Sequence, residues 1–431
     1  MARAGARVAV CLTLLAGVPA TLPAQDLAGS WIGSWIRDAD TLDVTMRFEN
    51  AAGVWKGTFD SERLRVVGIP FTEVVFDPPV VRLRLVGDAT TIAFEGRVDG
   101  HSLTGVLVED GSTGRFAFGR TPEPPFPLRE EEVRFRNGDV ELAGTLVLPF
   151  GTGPYPAVVF LHGSGAEGRW ASRYLAWRLA REGFAALIWD KRGVGGSTGS
   201  WQESAFEDLA ADAAAAVAFV RTRPGIDPER VGIHGHSQGG TIAPLAEARS
   251  EADFVIGSAA AGLPMADVEV YSVGNAIGVS SLPADEATLA KAYVDAIVNV
   301  AYRGAPRQEL EVAAARAEGH DWYFEPPGPD DPYWTFSRRF AEFDPLPWWA
   351  WIRVPVLLVY GSEDERVPAE ASRAAIVQAI GDGAPVETRI FEGADHTFRV
   401  RRAGDVWPRT VEGYPEAILE WLDDTVRRTP R

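Results

Sequence analysis

Two stretches of this sequence place a serine between glycines at the spacing of a nucleophile turn. They read GGSTG at Gly195–Gly199 and GHSQG at Gly235–Gly239. A serine can attack a carbonyl carbon when a tight turn between a buried strand and a helix exposes its oxygen. It also needs a neighbouring base to take its proton. Both stretches therefore indicate acyl-transfer chemistry, and the pattern alone does not choose between them.

The flanking sequence favours Ser237 over Ser197 as the nucleophile. The letters RVGI before Gly235 are typical of a short buried strand, and TIAPLAEA after it is typical of a helix. The first N–H groups of such a helix stabilise developing negative charge. Ser197 instead lies in a glycine-rich loop, several residues beyond the strand FAALIWD. We therefore predict that Ser237 is the nucleophile; the alternative is that either stretch is only a glycine turn.

Alternating strand and helix patterns surround Ser237. From residue 132 to residue 431, apolar strands such as AVVFL and VPVLLVYG alternate with helical patterns. This alternation predicts an α/β domain with a mostly parallel sheet and helices on both faces. It is interrupted at about residues 262–343, where helical segments lead into the aromatic, proline-rich HDWYFEPPGPDDPYWTF. We expect residues 262–343 to form a helical lid insertion over the strand ends.

The sequence before this domain has a different pattern. Residues 25–120 contain short runs with period-two alternation, broken by Gly, Asp and Asn. They predict a small all-β accessory domain, a barrel or sandwich of roughly seven to nine strands. We expect it to bury its own core and to supply no catalytic group. The four prolines of TPEPPFPLREE make residues 121–131 the predicted linker.

Residues 1–24 have the pattern of a signal peptide. Two arginines precede an apolar run that is too short to span a bilayer, and small residues follow it. We therefore expect an exported protein, periplasmic or secreted, with no stable membrane insertion. The single cysteine, Cys11, lies in this segment, so the mature chain would contain no disulfide.

Composition limits the classes of partner. The chain has 431 residues, 46% of them hydrophobic, and a formal net charge of −18. A chain of this length and composition folds into two or three domains. Its strong negative charge argues against binding to nucleic acid or to anionic membranes. The scattered histidines and the absence of a phosphate-binding glycine loop indicate no metal and no cofactor.

Five motifs occur in a characteristic order: HGSG, DKRGVGGS, GHSQGG, VYGSEDERVP and GADHTF. Together, from residue 133 to the C-terminus, they resemble the α/β-hydrolase superfamily of serine hydrolases. Within it, the chain is most similar to bacterial exported esterases and to serine-aminopeptidase-like or prolyl-oligopeptidase-like members. The β-rich region is similar to an accessory domain that some exported esterase-like members carry. The resemblance implies the α/β-hydrolase fold.

The base is found by excluding five of the six histidines. One lies in the β-rich region, one on the strand before the turn, one in the turn itself, one in the HGSG loop and one in the lid: His101, His234, His236, His162 and His320. His396 remains, on a loop after the last strand-like run, where the resemblance places the base. The acid should lie between the serine and the histidine in the chain. Asp364 fits the family's spacing and the following Val-Pro, with Glu363 and Asp395 as competitors.

The expected mechanism uses His396 as base and Asp364 as the group that fixes its tautomer. The oxyanion would be held by the backbone N–H groups of Gln238 and Ser164. Asp190 and Arg192 are expected to brace their loop.

Three functions remain open. The leading one is hydrolysis of carboxylic esters through an acyl-enzyme, with a small-molecule ester as substrate. The alternative is a serine peptidase or amidase acting on a short peptide with the same residues. The weakest is an exported binding protein with a relic hydrolase domain. The lid contains aromatic residues that could line an apolar pocket: Trp322, Tyr323, Phe324, Tyr333, Trp334 and Phe336. Nearby acids could hold a peptide amino group: Asp321, Glu325, Asp330 and Asp331. Alternatively, both sets could simply pack the lid.

Overall fold

A computed structural model describes residues 26–86, 90–122 and 128–427 of the chain. The predicted signal peptide, residues 1–24, lies outside the described residues, as do residues 123–127 of the predicted linker. None of the helices in the described ranges combines the length and the apolar character needed to cross a bilayer.

The N-terminal region is an all-β domain, as predicted. Its period-two patterns form a single antiparallel sheet of nine strands, in the order β4-β3-β2-β1-β9-β8-β7-β6-β5. The sheet curls so that β3 lies against β5, which makes it a half-barrel around an aromatic core. The strands are β1 Gly29–Arg37, β2 Asp40–Ala51, β3 Val54–Ser61, β4 Val66–Pro70, β5 Glu73–Asp77, β6 Val80–Val86, β7 Thr91–Asp99, β8 Ser102–Glu109 and β9 Ser112–Thr121.

A mixed eight-stranded sheet forms the centre of the second domain, in the order β10-β11-β13-β12-β14-β15-β16-β17. The pairs β10–β11 and β11–β13 are antiparallel and all others are parallel. The first strand begins at Arg129, three residues before the predicted boundary. The strands are β10 Arg129–Asn137, β11 Val140–Leu148, β12 Tyr155–Leu161, β13 Ala185–Trp189, β14 Ile226–His236, β15 Val255–Ser258, β16 Val356–Gly361 and β17 Val386–Phe391.

Helices cover both faces of this sheet, so the expected α/β-hydrolase architecture is confirmed. The helices are α1 Arg173–Arg181, α2 Phe206–Arg221, α3 Gln238–Ser250, α4 Met265–Ala276, α5 Ala284–Tyr302, α6 Arg307–Ala317, α7 Pro332–Phe340, α8 Leu346–Trp351, α9 Ala369–Ile380 and α10 Tyr414–Leu422. Successive strand residues point to opposite faces. Val158 packs with α1 and α10 on one face, whereas Val159 packs with α2, α3, α8 and α9 on the other.

Helices α4 to α7 lie between β15 and β16, where the insertion was predicted. They enclose a hydrophobic core of their own around Tyr293 and Ile297. Trp322 and Trp334 are buried in that core, so these two aromatic residues pack the lid. Phe336 packs edge-on against Trp201, outside the lid core.

A short hairpin joins the two domains. Its strands are β18 Arg399–Val400 and β19 Arg409–Thr410. Trp407, near the tip of this hairpin, is buried in the core of the all-β domain. The half-barrel buries a core of its own residues, as expected, and a buried residue from outside the domain joins that core. A tryptophan from 286 residues beyond the last strand of the half-barrel completes that core.

Candidate active site

Ser237 occupies a sharp turn between β14 and α3. Its φ of 55° and ψ of −119° are unfavourable for a residue with a side chain, as in a nucleophile turn. The glycines permit the close backbone approach that this turn needs. A Cβ at Gly235 would lie 2.2 Å from the Gly239 carbonyl oxygen, and one at Gly239 would lie 2.7 Å from the His162 carbonyl oxygen.

His396 lies within hydrogen-bonding distance of two other predicted site residues, Ser237 and Asp364. His396 Nε2 lies 2.9 Å from Ser237 Oγ. His396 Nδ1 lies 2.9 Å from each carboxylate oxygen of Asp364. Asp364 is only 1% exposed, and its Oδ1 also accepts the N–H groups of Arg366 and Val367, both at 2.8 Å. The strand ends of β14 and β16 and the loop after β17 therefore bring a hydroxyl, an imidazole and a buried carboxylate into one chain of hydrogen bonds.

The two competing acids, Glu363 and Asp395, make other contacts. Glu363 is exposed, and its N–H donates to the Ala394 carbonyl. Asp395 accepts the N–H groups of Thr397 and Arg399, so it shapes the turn that carries His396. Within the described residues, Asp364 is the one carboxylate that hydrogen-bonds with the ring of His396.

Ser197 is tied into its loop. Its hydroxyl donates to the Asp190 carbonyl at 2.6 Å and accepts the Ala143 N–H at 2.9 Å. The same loop is held by ion pairs of Asp190 with Arg169 and of Arg192 with Asp212. The ion pairs are the bracing expected of Asp190 and Arg192. The two hydrogen bonds of Ser197 Oγ engage that hydroxyl within the loop.

The three other histidines of the catalytic domain core are neutral and donate or share hydrogen bonds. Burial lowers the pKa of His162 and of His234 to about 3, and the pKa of His236 to about 4. His162 Nε2 donates to the Trp189 carbonyl, and His234 Nε2 lies 2.9 Å from Ser258 Oγ. His236 Nε2 donates to the His396 carbonyl at 3.0 Å, so it supports the backbone of His396 rather than the serine.

The remaining two histidines lie away from this site. His320 is in the lid, where its ring stacks on Trp322 and lies 3.7 Å from Glu286. His101 is exposed in the turn between β7 and β8.

The predicted oxyanion donors belong to two segments, the start of α3 and the loop after β12. Gln238 is the first residue of α3, so its N–H has no partner within the helix. Ser164 is exposed on the loop that follows β12. This loop is braced internally, because Gly163 N–H donates to Glu167 Oε2 at 2.7 Å.

Lys191 joins these two donor segments, and it was not among the residues predicted from sequence. Its ammonium donates to the carbonyls of Gly163 and Gly165 at 2.5 and 3.0 Å, and to Gln238 Oε1 at 3.1 Å. Lys191 is 2% exposed, and this burial lowers its pKa to about 8. Burial raises the pKa of nearby Glu167. The available signal was a lysine two residues after the fully buried strand β13, since a charge in that position needs partners.

A cavity of about 310 Å³ lies at the junction of the two domains. The α/β domain contributes Glu167 and His236 to its lining, and Thr397 from the loop that carries His396. The all-β domain contributes Leu64 and Ile69. The described ranges hold no group of three or more metal-ligating side chains placed to bind an ion.

Comparison with known proteins gives one family match. Residues 152–297, roughly a third of the chain, match the family described as serine aminopeptidase, S33. The matched range includes Ser164, Lys191 and Ser237, and it ends before Asp364 and His396.

Two curated relatives match shorter segments. The chain is 35% identical over 118 residues to the quorum-quenching protein AidA of Acinetobacter baumannii, covering 27% of this chain and 38% of that protein. It is 31% identical over 134 residues to esterase EstD of Thermotoga maritima, covering 30% of this chain and 32% of that protein. The chain thus spans about a third of the length of these relatives. Esterase Pf2001 of Pyrococcus furiosus has a solved structure that covers 70% of this chain and 90% of its own, with 18% identity and a TM-score of 0.45.

Proposed function

We propose that this chain, which carries a catalytic domain of the α/β-hydrolase superfamily, is a serine hydrolase that cleaves carboxylic esters through an acyl-enzyme intermediate. The observation that carries the proposal is the unbroken hydrogen-bond chain from Asp364 through His396 to Ser237. A relative named as an esterase supports the choice of esters as substrates.

In the first half-reaction, His396 Nε2 takes the proton of Ser237 as Oγ attacks the ester carbonyl carbon. Asp364 accepts the Nδ1–H of His396, which keeps Nε2 free to receive that proton and stabilises the imidazolium that forms. The tetrahedral intermediate collapses, the leaving alcohol takes the proton from His396, and the acyl group stays on Ser237. Water then attacks the acyl-enzyme with His396 again as base, which releases the acid and restores the serine.

The backbone N–H groups of Gln238 and Ser164 would hold the oxyanion in both half-reactions. Each such donor contributes roughly 3 kcal/mol to stabilising the transition state. Lys191 helps to position both donors, because its ammonium hydrogen-bonds to the loop of Ser164 and to the side chain of Gln238. We place Lys191 among the positioning residues, since its three partners are protein oxygens.

A second candidate is a serine peptidase or amidase that uses the same residues. The description of the matching family as a serine aminopeptidase favours it. The two candidates differ in the leaving group, which is an alcohol in one case and an amine in the other. For either candidate we propose export to the periplasm or the medium, on the pattern of residues 1–24, and a small ester or short peptide as substrate.

One substrate panel separates the candidates. Purified protein is assayed with p-nitrophenyl esters of graded acyl length and with aminoacyl p-nitroanilides, beside the Ser237→Ala variant as a blank. We expect ester kcat/KM to exceed anilide kcat/KM and to vanish in the variant. A higher value for the anilides would favour the peptidase. Ester hydrolysis that survives Ser237→Ala would contradict both candidates.

A further inference from the structure

The loop that carries His396 continues directly into the hairpin of β18 and β19. Arg399, the first residue of β18, lies three positions after His396. The segment between the two strands, residues 401–408, leaves the catalytic domain and enters the half-barrel, and we call it the hairpin tip. The base and the all-β domain are therefore joined by one short stretch of chain.

Trp407 anchors the hairpin tip inside the half-barrel. It is 5% exposed and belongs to the aromatic core that the strands of this domain enclose. Its indole Nε1–H donates to Glu109 at 3.1 Å. A buried indole that is both packed and hydrogen-bonded has little freedom to move.

Polar contacts fix the same tip to the first strands of the all-β domain. Asp40 accepts the backbone N–H groups of Val406 and Trp407 at 2.8 and 3.2 Å. Arg63 pairs with Asp40 at 2.6 Å and with Asp405 at 3.2 Å, and it also donates to the Trp407 carbonyl. The pairing with Arg63 and the two N–H groups hold the pKa of Asp40 well below its usual range. Asp40 and Arg63 are both largely buried, so this network is screened little by solvent.

The end of the hairpin near His396 is equally constrained. Phe398 has a φ of 60°, a left-handed conformation that a phenylalanine keeps only when its surroundings impose it. Its ring stacks on Tyr414 with 3.9 Å between centroids, and its carbonyl accepts the Val411 N–H. The Asp395 N–H donates to the Arg399 carbonyl, which closes the turn around His396. The chain between the anchored hairpin tip and His396 therefore has little conformational freedom.

We propose that the all-β domain is a positioning element of the active site. Trp407 and the Asp40–Arg63 pair fix the hairpin tip, and the hairpin in turn keeps His396 within hydrogen-bonding distance of Ser237. This inference rests on the proposed function, because it assigns the domain a task in the same reaction. Trp407 is a positioning residue: it contacts the half-barrel and acts on the reaction through the hairpin.

The expected effect follows from the geometry of the base. His396 Nε2 lies 2.9 Å from Ser237 Oγ, and a displacement of about 1 Å would break that hydrogen bond. A misplacement of this size costs roughly 100-fold in rate. Substrate binding does not require the Ser237–His396 bond, so the loss should fall on kcat.

The test compares Trp407→Ala with a control variant in the same core. Trp31 is also buried in the half-barrel and also donates its Nε1–H, in this case to the Leu27 carbonyl. The Trp31→Phe change removes that hydrogen bond in the all-β core and keeps the polar contacts of Trp407 and Asp40 that hold the hairpin tip. For the full chain with p-nitrophenyl acetate, we expect kcat to fall by roughly 10- to 100-fold in Trp407→Ala with KM within about twofold. Trp31→Phe should keep kcat.

A double-mutant cycle shows whether the effect passes through the base. In the His396→Ala background, adding Trp407→Ala should cause no further loss of the residual turnover. An equal loss in both backgrounds would overturn the inference, and so would a folded Trp407→Ala variant with unchanged kcat. If Trp407→Ala does not fold, Trp407→Phe and Asp40→Asn replace it, with the same two criteria.

A different result would contradict the proposed function. It is contradicted if His396→Ala alone keeps full turnover, whatever the Trp407 variants do. A normal loss in His396→Ala, combined with an unaffected Trp407→Ala, overturns only the role of the all-β domain.

Discussion

Replacing Asp364 by asparagine should inactivate the protein by reversing the tautomer of His396. Oδ1 of Asp364 accepts two backbone N–H groups at 2.8 Å, so the amide oxygen of the variant must take that position. The amide NH₂ then takes the place of Oδ2, 2.9 Å from His396 Nδ1. The amide oxygen at the Oδ1 position is also 2.9 Å from Nδ1, but the NH₂ group donates and cannot accept, so the variant favours the tautomer in which Nδ1 accepts from it and Nε2 carries the proton towards Ser237. A base in that tautomer cannot receive the serine proton.

The size of this effect can be set from the same contacts. The equivalent change in a serine protease lowers kcat by roughly 10⁴-fold through the wrong tautomer. That loss corresponds to about 5 kcal/mol in the activation free energy. The variant keeps the volume of the side chain and both backbone hydrogen bonds, so the free energy of unfolding should fall by no more than about 2 kcal/mol.

The assay measures kcat for p-nitrophenyl acetate and the free energy of unfolding in urea for wild type and Asp364→Asn. Glu363→Gln is the matched control, because Glu363 is the adjacent acid and its side chain is exposed. We expect this control to keep both quantities close to wild type. A folded Asp364→Asn protein with kcat within tenfold of wild type would refute the tautomer reasoning, as would an equal loss in the control.

Three further outcomes test neighbouring residues. Ser197→Ala removes two loop hydrogen bonds, so urea unfolding should show a loss of about 1 kcal/mol while kcat stays within about threefold of wild type. His236→Ala should lower kcat far less than His396→Ala in the same assay, and comparable losses would contradict the exclusion of His236. Lys191 has a pKa of about 8 when folded, below its ordinary 10.5, so the unfolded chain binds more protons between these pH values and stability rises with pH. Between pH 7.5 and 10.5, the free energy of unfolding should therefore rise by about 3 kcal/mol in wild type relative to Lys191→Met, as measured by urea titration at each pH.

The local features of the site were predictable from sequence because each has a local cause. The glycines beside Ser237 are required by backbone contacts within the turn and with the adjacent strand end, so they leave a motif that can be read. His396 and Asp364 follow strand ends, which parallel strands bring to one edge of the sheet. The strand and helix alternation predicted the α/β domain, and the period-two runs predicted the all-β domain.

The features that were missed depend on contacts distant in sequence. The sequence did not distinguish Lys191 from the charged residues beside it. Its role depends on the carbonyls of Gly163 and Gly165, which only the fold brings close to it. Trp407 has no sequence pattern that would place it in the core of a domain whose last strand ends more than 280 residues earlier. Trp322 and Trp334 gave a pattern equally suited to a pocket and to a packed lid, and only their burial in the lid core decides between the two.

The central claim is that Ser237 is the nucleophile activated by His396. Its most direct test is labelling of the folded protein with a fluorophosphonate, followed by mass spectrometry of the peptides. We predict a single adduct on Ser237, its absence in Ser237→Ala, and labelling slowed by at least roughly 100-fold in His396→Ala. An adduct on Ser197 or on any other serine, or labelling of Ser237 at an unchanged rate without His396, would contradict the claim.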